Sequence, residues 1–277
     1  FVHGDVFVRP NLEEQRAEAW IELWSCEQQK RKITLEVTIC GQNFQTAPIT
    51  ITYKPHSILV TGMGDSVTEA EYRKEGTWGK EIPLLVSRGV NRFKVPFELK
   101  EMRLWTPDEP WLYQIQVRVL DEDNSLLDCA KNQFGMRSFR MDTKSIPKGA
   151  FYFNGQKIRL RGANTMGHEQ QCVYKKDFDQ LIDDILLAKI CNMNFWRITQ
   201  RPVQPEVYEY CDKLGLMTQT DLPLFGVLRR NQFCEAVRQA EEMERLIRSH
   251  PCNVVISYIN EPFPNTFNRP HLHLERD

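Results

Sequence analysis

The chain has 277 residues, 41% hydrophobic and 26% charged, enough to bury a substantial core and to form about two domains. Its 36 Lys and Arg against 37 Asp and Glu leave a formal net charge of -1, which excludes a global field toward nucleic acid or an anionic membrane. No apolar run approaches the roughly 20 residues of a membrane span, and "FVHGDVFVRP" shows no basic region followed by an apolar stretch, so no signal peptide is read. Eight scattered cysteines, Cys26, Cys40, Cys129, Cys172, Cys191, Cys211, Cys234 and Cys252, form no C-x-x-C pair. They read as small buried thiols rather than metal ligands, so no metal and no cofactor is expected. Free thiols favour a reducing compartment without excluding the periplasm, and localisation stays unassigned.

In the first part of the chain the pattern has period two. "ITLEVTI" places Ile33, Leu35, Val37 and Ile39 on one face; "YQIQVRVL" does the same with Tyr113, Ile115, Val117 and Val119. Further strands are read in "DVFVRP", "AWIELWS", "PITITY", "EIPLLV" and "NRFKVPF", separated by turns such as "SRGVN" and "DEDNS". Short strands without a helix predict an all-β, immunoglobulin-like antiparallel sandwich over residues 1–137.

The period then changes. "FYFNGQKIRLRGAN" predicts a hairpin and a strand ending near Gly162. "KKDFDQLIDDILLAKICN" predicts a helix with Phe178, Leu181, Ile182, Ile185 and Ala188 on its inner face. "MNFWRIT" is a strand, "PEVYEYCDKLG" a helix between Pro205 and Gly215, and "LMTQTDLPLF" a strand. "NQFCEAVRQAEEMERLIRSHP" is a helix with Phe233, Val237, Ala240 and Ile247 inward, and "NVVISYINEP" is a fourth strand. Alternating strands and helices over residues 138–277 imply an α/β unit with parallel strands. It is either an open doubly wound sheet or part of a (β/α)8 TIM barrel. The absence of G-x-G-x-x-G weighs against a dinucleotide fold.

In such sheets, functional groups gather where strands exit. Those positions hold Asn164, with His168 and Glu169 beyond it, then Arg197, Asp221, and finally Asn260 with Glu261. A carboxyl at the rim of an apolar barrel is partly desolvated and holds its proton more readily, which suits a general acid. Pro262 is expected to keep Glu261 extended. The bland reading of Asn260-Glu261-Pro262 is a strand-ending turn. His271-Leu272-His273 has metal-ligand spacing but reads as a solvated loop. Most of the six tryptophans read as core; Trp196, beside Arg197, has the best claim to a pocket.

"RSHPCNVVISYINEPF" resembles the acid/base strand of glycoside hydrolase family 2, the β-galactosidase, β-glucuronidase and β-mannosidase type. "RLWTPDEPWLYQIQVRV" resembles that family's sandwich segment, and "FGMRSF" with "FYFNGQKIRLRGAN" its first barrel strand. "DDILLAKICNMNFWRIT" and "VYEYCDKLGL" are similar to the next two family motifs, in family order. The resemblance implies a retaining glycosidase acting on an oligosaccharide or glycoside, with Glu261 as acid/base and Asn260 contacting the sugar 2-hydroxyl. Arg197 would orient the nucleophile carboxylate, and Asn164 and His168 would line the sugar pocket. Asp221 would contact sugar or pair with an arginine. The family nucleophile comes from a later strand, so the chain reads as an internal fragment holding the first half of the barrel, inactive alone and prone to homo-oligomerise. Two departures stand out. Two extra residues precede His168, which shifts it relative to the pocket, and Gln200 stands where many members carry histidine. A non-catalytic carbohydrate-binding or interaction module is the alternative function.

Overall fold

The computed structural model describes residues 2–26, 31–52, 61–62, 84–86, 89–99, 101–226, 228 and 230–261. Trp78, Pro262, His271 and His273 lie outside them. The chain forms two compact units, one of Phe1–Arg103 with Trp111–Met136, the other of Leu104–Pro110 with Arg137–Asp277.

The first unit holds β1 (Val2–Asn11), β2 (Arg16–Ser25), β3 (Arg31–Gly41), β4 (Ile49–Thr52), β5 (Thr61–Gly62), β6 (Leu84–Val86), β7 (Gly89–Glu98), β8 (Tyr113–Leu120) and β9 (Leu126–Phe134). They form two antiparallel sheets, ordered β1-β2-β7-β5 and β4-β3-β8-β9, with β6 pairing β3. The alternation read from the sequence is the burial pattern: Ile21 and Leu23 of β2, Leu35 and Val37 of β3, Phe93 and Val95 of β7, and Ile115 and Val117 of β8 are all buried. Each such side chain contributes about 1.5–3 kcal/mol by leaving water. This is an antiparallel β-sandwich. Strand β9 was not legible, because "LLDCAKNQF" does not alternate cleanly and its burial is mostly intermediate.

The second unit opens with a three-stranded antiparallel sheet of β10 (Phe139–Met141), β11 (Phe151–Phe153) and β12 (Gln156–Ile158). There follow β13 (Gly162–Thr165), α1 (His168–Lys175), α2 (Phe178–Ile190), β14 (Phe195–Ile198), α3 (Pro205–Leu214), β15 (Met217–Asp221), α4 (Phe233–Ile247) and β16 (Asn253–Ser257). Strands β13 to β16 pair in order and in parallel. The first of them begins at Gly162 rather than ending there. A Cβ at that position would come within 1.7 Å of the Phe195 carbonyl oxygen, so glycine permits the approach of β13 to β14.

Local chemistry sets the helix ends. Asp177 caps α2 by accepting from the Gln180 amide, a contact worth about 1 kcal/mol. Gly215 closes α3 with φ +74°. Two readings need correction. Ile247 is buried and Ala240 half-buried as read, but Phe233 and Val237 are exposed, because the first turns of α4 turn Ala236 rather than the larger side chains inward and Met243 completes the buried stripe. Only Cys172, Cys211 and Cys252 are buried; Cys26, Cys129, Cys191 and Cys234 are exposed and Cys40 is intermediate.

The Leu104–Pro110 segment is stitched into the second unit. Trp105 is fully buried, donates to the Asp212 carbonyl at 2.8 Å, and packs on Phe153. The Lys189 ammonium donates to three carbonyls, those of Pro107, Leu214 and Gly215, at 2.5, 2.7 and 3.1 Å. The buried Asp212 carboxylate joins α3 to the start of β16, meeting His250 Nδ1 at 2.6 Å and the Cys252 amide at 2.9 Å. Trp105→Ala is expected to destabilise the second unit by about 3–5 kcal/mol. Urea unfolding followed by the helical far-ultraviolet signal checks this, since every described helix lies in that unit. A loss under about 1 kcal/mol would contradict it.

Candidate active site

Parallel register decides which side chains meet. Asn164, Arg197, Gln219 and Val255 are partners across the four strands, so they share one face of the sheet, and Asp221, two residues beyond Gln219, shares it too. The opposite face carries Trp196, Ile198, Thr218 and Thr220, all buried. There Tyr208 of α3 bonds Thr220 at 3.0 Å. That contact marks this face as the helix-covered one, and burial pushes the Tyr208 hydroxyl far above the usual phenol range.

At the C-terminal end of β15, Asp221 is fully buried. Arg197 Nε donates to its Oδ2 at 3.1 Å and Arg197 Nη2 to the same oxygen at 2.7 Å. Gln219 Nε2 donates to Oδ1 at 2.9 Å, and the Gln200 amide to Oδ2 at 3.3 Å. Gln200 reaches this position with φ +72°, a left-handed conformation uncommon outside glycine. Arg197 Nη2 also donates to Asn260 Oδ1 at 2.5 Å. That bond fixes the orientation of the amide: its oxygen is held by the guanidinium, and Nδ2 is the donor end.

The Asn260 backbone is held as firmly. Its amide donates to the Leu224 carbonyl at 2.8 Å, and its carbonyl accepts from Gly226 at 2.9 Å. Glu261 follows with φ +48° and is exposed. Both features depart from the sequence reading of an extended, partly desolvated residue. The chain turns sharply as it leaves the anchored Asn260, which costs about 1–2 kcal/mol in a left-handed non-glycine residue. The desolvation argument also assumed a closed cylinder, whereas the described residues supply four parallel strands.

The structure thus brings together Arg197, Asp221 and Asn260, with Asn164 on the same face and Glu261 next in the chain. His168 and Trp196 stand elsewhere. His168 starts α1, with Nδ1 3.3 Å from Glu169 and Nε2 3.7 Å from Asp184 of α2, and its ring meets the Trp196 indole edge-on at 6.0 Å. Gln219 and the Gln200 amide were not read from the sequence as site groups. The two-residue spacing of "QTD" was the available signal for Gln219; position 200 stood out only by its missing histidine, and nothing local announced its main-chain amide as a donor. Among the described residues, no group of three or more His, Cys, Asp or Glu side chains could hold a metal ion, and no helix is long and apolar enough to cross a membrane.

Two family models match the chain, glycosyl hydrolases family 2 over residues 1–137 and the TIM barrel domain of the same family over residues 145–270. The chain belongs to glycosyl hydrolases family 2. The second match also decides between the two readings of the parallel sheet, in favour of a barrel. A β-galactosidase of Alteromonas mediterranea is 28% identical over 173 residues, covering 59% of this chain and 16% of that protein. A β-galactosidase of Yersinia enterocolitica is 26% identical over 180 residues, 62% of this chain and 17% of that protein. Among solved structures, a β-glucuronidase of Bacteroides uniformis superposes with TM-score 0.66 at 21% identity, covering 99% of this chain and 30% of that one. A β-D-mannosidase from Dictyoglomus thermophilum gives 0.68 at 20% identity, covering 92% and 29%. The matched segment spans about a sixth of the two β-galactosidases, and the chain covers less than a third of the two solved structures.

Replacing Arg197 by Met leaves a buried carboxylate without its cation. The expected loss is about 3 kcal/mol of stability, the low end for a broken buried pair, because the guanidinium side chain is 27% exposed. Adding Asp221→Leu is expected to recover most of it. Urea denaturation of the single and double variants checks both, and a single variant as stable as the wild type would contradict the account.

Proposed function

We propose that the whole protein is a retaining β-glycosidase in which Glu261 is the general acid/base and Asn260 donates to the sugar 2-hydroxyl. The observation that carries this reading is the bond from Arg197 to Asn260. It aims an amide donor at the strand-exit rim, one residue before a carboxylate that is exposed to an incoming glycoside. Asn164, paired with Arg197 in register, extends the polar face on which the sugar lies. Arg197 holds Asp221 and Asn260 and so orders the rim on which the nucleophile carboxylate must act. A retaining reaction needs two carboxyl groups about 5–5.5 Å apart. Asp221 is committed to Arg197 and Gln219, so the nucleophile comes from outside the described residues.

The acid would protonate the leaving oxygen and then, as base, activate water against the glycosyl-enzyme. This chain alone is expected to show negligible hydrolysis of nitrophenyl β-galactoside, β-glucuronide and β-mannoside, and the whole protein to hydrolyse at least one of them. Glu261→Gln in the whole protein is expected to lower kcat by about 10²–10⁴, the usual worth of general acid–base catalysis. Turnover that survives Glu261→Gln unchanged would refute the role. Sugar binding without turnover by the whole protein would instead favour the non-catalytic binding module.

A further inference from the structure

The turn after β14 carries a second arginine, to which the catalytic reading gives no part. Gln200 turns the chain with φ +72° while its amide donates to Asp221. Two residues beyond Arg201, the Val203 amide donates to the Tyr208 hydroxyl at 3.4 Å. The backbone around Arg201 is thus held on both sides. Arg201 is exposed, and its Nη2 donates to Oε1 of Gln170 at 3.2 Å. Gln170 is itself buried in α1, at 5% exposure, so the guanidinium is tied to a fixed point.

Arg201 lies three residues after Ile198, the end of β14, and Gln170 lies in the helix that follows β13. The tethered guanidinium therefore bridges the exits of the two strands on which Asn164 and Arg197 are register partners. The two arginines differ in charge balance. Arg197 is matched by the Asp221 carboxylate. Arg201 meets a neutral amide oxygen, and among the described residues no carboxylate pairs with it. The Glu169 carboxylate beside Gln170 faces Thr165 and His168 instead. A guanidinium in that state presents a planar fork of donors suited to an oxyanion, and holding it in place beforehand removes part of the ordering cost of binding.

We propose that Arg201 is a specificity-determining residue of the glycoside site, which selects substrates carrying an oxyanion, either a uronate carboxylate or a sulfate ester. The inference rests on the glycosidase reading and adds to it the charge class of the substrate. Its test is steady-state kinetics of the whole protein on nitrophenyl β-glucoside, β-galactoside and β-mannoside, each beside its uronate and its 6-sulfate. The wild type is compared with Arg201→Gln and Arg201→Lys. A loss of folded enzyme acts equally on neutral and anionic forms, so the ratio of their KM values isolates the charge contact.

At least one anionic form is expected to have a lower KM than its neutral parent. Arg201→Gln is expected to raise that KM by about 5- to 10-fold with little change in kcat, the order of effect a charge-assisted hydrogen bond supplies at a partly open site. The KM of the neutral parent is expected to move much less. Arg201→Lys is expected to recover part of the loss, since a cation remains and the planar fork does not. Sensitivity confined to the uronate or to the 6-sulfate identifies which oxyanion is read. Preference for the neutral parents, or a KM rise in Arg201→Gln that is equal on neutral and anionic forms, would overturn this inference and leave the glycosidase reading standing. Hydrolysis of none of these glycosides by the wild type would overturn the glycosidase reading and this inference with it.

Discussion

Asp221 lies fully out of water at the end of a parallel strand, and a carboxylate there costs several kcal/mol unless donors surround it. The fold answers with a guanidinium from the neighbouring strand, an amide side chain two residues earlier on the same strand, and a main-chain amide from the loop after β14. Meeting that demand fixes the plane of Arg197. Its Nη2 group then has one direction left, and Asn260 is found there. The position of the rim amide, and of the turn into Glu261, follows from how one buried acid is satisfied.

The same residues show how far the sequence could be read. Arg197, Asp221 and Asn260 were legible because each sits where an apolar, β-rich run meets polar residues, and parallel sheets gather such positions. The sandwich was legible because β3 and β8 alternate almost without exception. Phase errors account for what was misread. Phe233 and Val237 extend the stripe of Ala240 and Ile247 on hydrophobicity alone, but the first turns of α4 leave both exposed and Met243 is buried instead. Helix α1 was missed because "HEQQCVYK" is too polar to show a stripe. The Gln200 main-chain donor was invisible for a different reason: it acts through backbone geometry that only the assembled sheet produces.

Many of the motifs that carry the family resemblance hold the second unit together rather than perform chemistry. Trp105, from "LWTPDEPW", and Asp212, from "CDKLG", bond to one another through side chain and backbone, and Asp212 meets His250, from "SHPCN". Lys189, from "LLAKIC", gathers three carbonyls from two segments. Burial lowers its ammonium pKa from the usual lysine range, a cost the fold accepts in exchange for closing those carbonyls. Scaffold and site are thus separable: the first is stitched at the strand beginnings, the second assembled at the strand ends.

The central claim is that Arg197 works through Asn260, and a double-mutant cycle on glycoside affinity tests it most directly. Arg197→Lys keeps a cation for Asp221 but loses the planar fork that also reaches Asn260; Asn260→Ala removes the amide. The account predicts that the two losses overlap, with a coupling energy of about 1 kcal/mol or more. Losses that add to within about 0.5 kcal/mol would show that the guanidinium and the amide act independently, and would contradict it.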